Sequence, residues 1–89
     1  MNRAGGDKGL IGVVAQNVRT MRKAAGLSQE QLAYEADIDR TYISQVERRQ
    51  RNLTISVLGR IAKALGTTPD KLLVAPAGLA AKPHRKKRA

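Results

Sequence analysis

Apolar residues that recur at helical spacing, no alternating strand pattern and no internal repeat predict an all-α protein, a compact bundle of five short helices. The breaks between the apolar stripes carry stop and start signals. Gly26 precedes Ser28, Asp37 precedes Asp39, and Gly66 precedes Thr68-Pro69. With 89 residues the chain has room for one small domain and only a modest core. Self-association is a natural supplement to the stability of such a domain.

The elements follow in order. Residues 1–9 contain three Gly and scattered charges and are expected to be disordered. A first helix is expected from Leu10 to Ala25, with Ile11, Val14, Val18 and Ala25 turned inward and Arg22 on the same side; Gly26 stops it. Ser28 is a natural N-cap for the second helix, and Gln31 three residues later completes a capping box. Leu32, Ala33 and Ala36 make its narrow apolar stripe. Asp39 is the expected N-cap of the third helix, in which Ile43 and Val46 face inward. Residues 49–52 form a polar loop. Thr54 caps a fourth helix whose inner face is Val57, Leu58, Ile61, Ala62 and Leu65, and Gly66 ends it. Pro69, in the first position of a helix, opens a short fifth helix that carries Leu72 and Leu73. The domain is thus expected over residues 10–74. After Val74 the chain turns small and weakly patterned, so residues 75–89 are expected to be a flexible linker and a basic tail.

Residues 28–49, SQEQLAYEADIDRTYISQVERR, carry the functional information. Two short helices meet across Asp37-Ile38-Asp39, and the small Ala33 lets them cross closely, which is a helix-turn-helix. The second of the pair exposes side chains suited to base edges and phosphates. Arg40 is the leading candidate for a bidentate contact to guanine. Thr41 and Tyr42 suit a thymine methyl or a phosphate, and Ser44 and Gln45 also face the groove. Arg48 and Arg49 follow at the end of the helix and are expected on the DNA backbone, with Arg51 and Asn52 in the loop beyond.

This arrangement resembles the lambda-repressor-like helix-turn-helix family of bacterial and phage regulators, over residues 14–74. The likeness is strongest at Asp39-Arg40-Thr41-Tyr42-Ile43-Ser44 and from Glu47-Arg48 to Asn52-Leu53-Thr54-Ile55, where the chain is similar to controller proteins of restriction–modification systems. The resemblance implies that Gln29 donates to a phosphate at the start of its helix. It implies that Arg22 and Glu47 form a structural salt bridge, and that the fifth helix, with Leu72, Leu73 and Val74, lies at a two-fold interface. One departure stands in the inter-helix turn, where many members have Gly and this chain has Asp37. Asp tolerates the left-handed conformation better than most residues, so the motif survives.

Composition agrees with a polyanionic partner. The formal net charge is +10, from 17 basic and 7 acidic residues. Five of the basic residues lie in the tail 82–88, and without them 12 basic residues still face 7 acidic ones. There is no Cys, which excludes a disulfide framework, a Cys-based zinc site and a thiol catalyst. His84 is the single His, so neither a metal nor any other cofactor is expected. No Gly-rich phosphate loop, nucleophile–base pair or facing carboxylate pair supports an enzyme. No apolar run is long enough to span a membrane, and the N-terminus lacks an apolar signal core, so a cytoplasmic address is expected.

The resulting expectation is a sequence-specific, double-stranded-DNA-binding transcription regulator. It acts as a homodimer on a pseudo-palindromic operator, because one module reads one half-site. A restriction–modification controller is one version and a chromosomal or prophage repressor another. No small-molecule effector is expected, since 89 residues leave no room for a second domain to hold one. The competing reading is an antitoxin that binds a toxin protein through the segment after Val74 and autoregulates its operon. The basic tail is open to three roles: a non-specific DNA arm, a protein-docking segment or an appendage without function.

Overall fold

The computed structural model describes residues 4–76. Its element order is α1 (Ala4–Ala24), α2 (Gln29–Ala36), α3 (Arg40–Glu47), α4 (Ile55–Ala64) and α5 (Pro69–Leu72), with no strand among the described residues. Helix α1 packs on α3 and α5, α2 packs on α3 and α4, and α4 packs on α5. Val14 and Val18 of α1, Leu32 of α2, Ile43 and Val46 of α3, Ile61 of α4 and Leu72 of α5 meet in one core.

Three expectations need correction. Helix α1 starts at Ala4 rather than Leu10, so the backbone of residues 4–9 is helical instead of disordered. Each Gly there costs roughly 1 kcal/mol relative to Ala, which an already nucleated and packed helix can absorb. Ala25 lies exposed in the turn after α1, outside the inward stripe. Leu72 is completely buried in the core of its own protomer, so it cannot contribute to an interface. The short α5 turns Leu72 inward and leaves Leu73 and Val74 facing out. The tail expected over 82–88, and the linker beyond Pro76, lie outside the described residues.

The helix starts obey their local chemistry. The Ser28 hydroxyl accepts from the Gln31 N–H while the Gln31 side chain accepts from the Ser28 N–H, a complete capping box. Thr54 accepts from the Val57 N–H. Asp39 occupies the N-cap position of α3, but its side chain makes no capping hydrogen bond. The helix ends share a second device. Helices α1 to α4 are each followed by a left-handed residue: Gly26, Asp37, Arg49 and Gly66, with φ of 74°, 60°, 64° and 75°. The next N–H returns to a carbonyl of the last turn: Leu27 to Arg22, Ile38 to Ala33, Gln50 to Gln45 and Thr67 to Ala62, at 2.8–3.0 Å. Asp37 was legible as such a residue in the sequence, and Arg49 was not.

Two polar clamps join distant segments. Arg22 Nε donates to Glu47 Oε2 at 2.6 Å and Arg22 Nη2 to Glu47 Oε1 at 3.1 Å. The Glu47 side chain is 1 % exposed, so the pair is buried. The hydrogen bond from Glu47 raises the Arg22 pKa against the opposing effect of burial, which keeps the guanidinium charged. Asn17, buried on α1, donates to the carbonyls of Leu72 at 2.8 Å and Val74 at 2.9 Å. It thereby ties the end of α5 and the chain beyond it to α1.

Glu47→Ala strands the buried Arg22 charge and should cost about 3–5 kcal/mol, whereas Glu30→Ala, exposed on α2, should cost about 1 kcal/mol or less. Urea denaturation of the two variants checks this, and equal midpoints would remove the ion pair as the clamp of the fold. At the turn, Asp37→Val places a β-branched residue at positive φ and should cost about 1–2 kcal/mol, while Asp37→Gly should not destabilise. A Gly variant that melts below the native protein would contradict this account of the turn.

Candidate nucleic-acid interface

The position of α3 follows from what holds it. Ile43 and Val46 anchor one face in the core, and Glu47 is fixed by Arg22 from α1. Gln29, at the start of α2, donates from Nε2 to Glu47 Oε1 at 3.1 Å. Arg22 Nη1 also donates to the Leu27 carbonyl at 2.8 Å, so one carboxylate and one guanidinium orient α1, the α1–α2 turn, α2 and α3 together. On the other side, Arg60 of α4 donates to the Asp37 carbonyl at 3.0 Å and supports the turn between α2 and α3.

With its inner face held this way, α3 presents Arg40, Thr41, Ser44, Gln45 and Arg48 outward on one stripe, at i, i+1, i+4, i+5 and i+8. Arg40 and Thr41 are exposed at the N-terminal turn, and Ser44 and Gln45 are half-buried. No acidic side chain interrupts the stripe, since Glu47 points into the protein. The five residues can donate and accept hydrogen bonds along a groove without desolvating an opposing charge.

The remaining candidates divide. Tyr42 leaves the stripe: it packs partly against the core, and the Arg51 guanidinium lies 4.2 Å from its ring centroid in a cation–π contact. The structure therefore brings two residues together that the sequence treated separately. Asn52 is exposed in the loop beside them. Arg48 Nε reaches back to the Ser44 carbonyl at 3.4 Å. Arg49 turns away from the stripe and lies across α1, with its Nε 3.6 Å from where a Cβ on Gly12 would sit. Gln29, expected on a phosphate, directs one amide N–H to Glu47, which leaves its second N–H for another acceptor. The dimer candidates Leu73 and Val74 are 41 % and 63 % exposed.

Sequence reasoning missed Asn17 and Arg60. Asn17 lies in the stretch between Val14 and Val18, where a polar residue reads as surface. A hint was available, since Asn17 and Val18 share the inward side of α1 with Val14, but its carbonyl partners lie more than fifty residues away. Among the described residues no three His, Asp or Glu side chains converge as metal donors, and no helix is long and apolar enough to cross a membrane.

Comparison with known proteins agrees with this geometry. The helix-turn-helix family HTH_3 matches residues 18–72. The control protein C.SmaI of Serratia marcescens is 52 % identical over 61 residues, spanning 68 % of this chain and 73 % of that protein. The crystal structure of a hypothetical transcription factor, NHTF, from Neisseria superposes with a TM-score of 0.75 at 41 % identity, covering 79 % of this chain and 80 % of the other. The restriction–modification controller C.Esp1396I, solved as a tetramer with its natural 35-base-pair operator, superposes with a TM-score of 0.66 at 41 % identity, covering 71 % and 83 % of the two chains. The chain belongs to the helix-turn-helix family of DNA-binding transcription regulators, and restriction–modification controllers are among its relatives.

Proposed function

We propose that the protein binds a pseudo-palindromic operator as a homodimer in the cytoplasm and regulates transcription as a controller of the restriction–modification type. The observation that carries this reading is the uninterrupted polar stripe of α3, held in place by the Arg22–Glu47–Gln29 cluster. Arg40 is the guanine reader. Thr41, Ser44 and Gln45 contact neighbouring bases, and Tyr42 with Arg51 covers the edge of the site. Gln29, Arg48, Arg49 and Asn52 contact the backbone. The operator complex of C.Esp1396I supports DNA as the partner and assembly as the mode of binding.

The dimer surface follows from apolar exposure. Leu10, Ile55, Leu73 and Val74 are solvent-facing, and Leu10, Ile55 and Leu73 rim an apolar groove of about 270 Å³ floored by Val14, Val46 and Leu58. A second copy covers this face. It does so without Leu72, which only supports Leu73 from below. Nothing described favours the antitoxin reading, because the segment that would meet a toxin lies almost wholly beyond Pro76.

An operator enriched from a pool of random duplexes provides the probe. Arg40→Ala should cost about 1–3 kcal/mol on that duplex and relax preference at one base position. A titration against single-base variants checks it, and uniform weakening across the panel would move Arg40 to the phosphates. Leu73→Asp with Val74→Asp should give a folded monomer in sedimentation that binds the operator more weakly, whereas Leu72→Asp should unfold the domain. A dimer that survives the double substitution would place the interface elsewhere.

A further inference from the structure

We propose a phosphate-binding groove in which α1, through Gln16 and Arg19, joins Arg48 and Arg49 in gripping the DNA backbone. The assignment rests on DNA binding as proposed above and adds residues of α1 to it. A polar groove of about 410 Å³ runs between α1 and the C-terminal end of α3, floored by the buried Ala15 and lined by Gln16, Arg19, Glu47, Arg48 and Arg49. It begins at Arg48, the last member of the α3 stripe, and so continues the reading face onto α1.

Its charge has no internal compensation. Glu47 is the one carboxylate in the lining, and both of its oxygens are taken by Arg22, with Gln29 on one of them. Among residues 9–76, whose side chains are described, the Arg22–Glu47 pair is the sole ion pair, and no carboxylate of that range pairs with Arg19, Arg48 or Arg49. Three guanidiniums lining one groove repel one another, and a groove lined by one sign of charge concentrates counter-ions of the other. Planar guanidinium donors match the oxygens of a phosphodiester. The Gln16 amide, which reaches Thr20 Oγ1 at 3.4 Å, adds a neutral polar group beside them.

Arg49 holds a left-handed backbone conformation at the mouth of this groove. Its φ of 64° is a conformation that a residue with a Cβ adopts at a cost, and Gly could hold the same turn freely. Strain of this kind at an exposed polar residue points to a role for its side chain. The Arg49 side chain lies over Gly12 on α1, its Nε 3.6 Å from where a Cβ would sit, which is ordinary van der Waals contact. Arg19 is exposed on α1, where the core makes no demand on its identity.

The test uses the full chain and a 30-base-pair duplex enriched from a random pool, with binding followed from 50 to 200 mM KCl. Each phosphate contact contributes about 0.9 to the slope of log affinity against log salt. Arg19→Ala and Arg49→Gly should each reduce the slope by about 0.9, and the double variant by about 1.8. Arg49→Gly should do so while melting no lower than the native protein, because Gly relieves the positive φ; loss of binding through unfolding is thereby excluded. Arg19→Lys should keep the native slope, as should Lys63→Ala on the exposed side of α4. The ranking of single-base variants should not change in Arg19→Ala. Native slopes in Arg19→Ala and Arg49→Gly, with the duplex still bound, would overturn the groove and leave the operator reading intact. Inorganic phosphate that perturbs the Arg19 and Arg49 side-chain resonances while both variants keep native slopes would make this a small-anion site and also overturn it. A native protein that enriches no duplex would overturn the operator reading and this assignment together.

Discussion

The buried pair between Arg22 and Glu47 is the interaction on which the rest of the structure depends. Glu47 closes α3, and Arg22 sits near the end of α1, so the pair joins two helices that share few other polar links. The same two side chains engage the Leu27 carbonyl and the Gln29 amide, which brings in the turn before α2 and α2 itself. A buried ion pair is seldom a large source of net stability, because desolvating two charges offsets most of their attraction. Its effect here is geometric. The carboxylate accepts from defined donors on two elements, so α3 cannot rotate about its axis without leaving a charge unpaired. An apolar pair would tolerate such a rotation, and the outward stripe from Arg40 to Arg48 would lose its fixed aim.

A second constraint is the left-handed closure of α1 to α4. Four closures allow the chain to reverse in very short connections, so a small domain can present separate helix faces around one core. Gly supplies two of them, after α1 and α4. The other two flank α3 and are made by Asp37 and Arg49. Asp37 trades backbone ease for a short polar side chain, and its carbonyl receives Arg60 from α4. Arg49 trades the same ease for a guanidinium laid over α1. The two residues that hold positive φ at a cost are thus the two that bracket α3.

The small core has a further consequence. Five helices of this size cannot cover all of their apolar surface, and apart from Tyr34 on α2 the large exposed apolar side chains are Leu10, Ile55, Leu73 and Val74. Asn17 positions the last two. By holding the Leu72 and Val74 carbonyls it fixes the chain after α5, so Leu73 and Val74 stand on a rigid edge. The apolar groove adjoins the loop after α3, whose Arg51 and Asn52 share its lining, so the apolar face begins where the polar loop ends.

The sequence by itself determined the helical elements and the outward face of α3, Tyr42 excepted. The stripes Leu32-Ala33-Ala36 and Ile43-Val46, the capping box at Ser28 and the cap at Thr54 are local patterns, set by periodicities and hydrogen bonds within a few residues. The outward set Arg40, Thr41, Ser44, Gln45 and Arg48 is legible for the same reason, because a helix with a known inner face has a known outer one. The Arg22–Glu47 pair was readable through family resemblance, and its geometry was not. What only the tertiary structure decided involves contacts between residues far apart in the chain. Leu72 and Leu73 are adjacent and chemically alike, yet the crossing of α5 with α1 and α4 buries the first and exposes the second. Asn17 reads as surface until the α5 carbonyls arrive above it. Arg51 meets Tyr42 only because the loop folds back over α3. Arg49 looks like a companion of Arg48 until its positive φ carries it across Gly12 to the side of Arg19, since a one-residue change of backbone handedness redirects a side chain in a way that residue type does not encode.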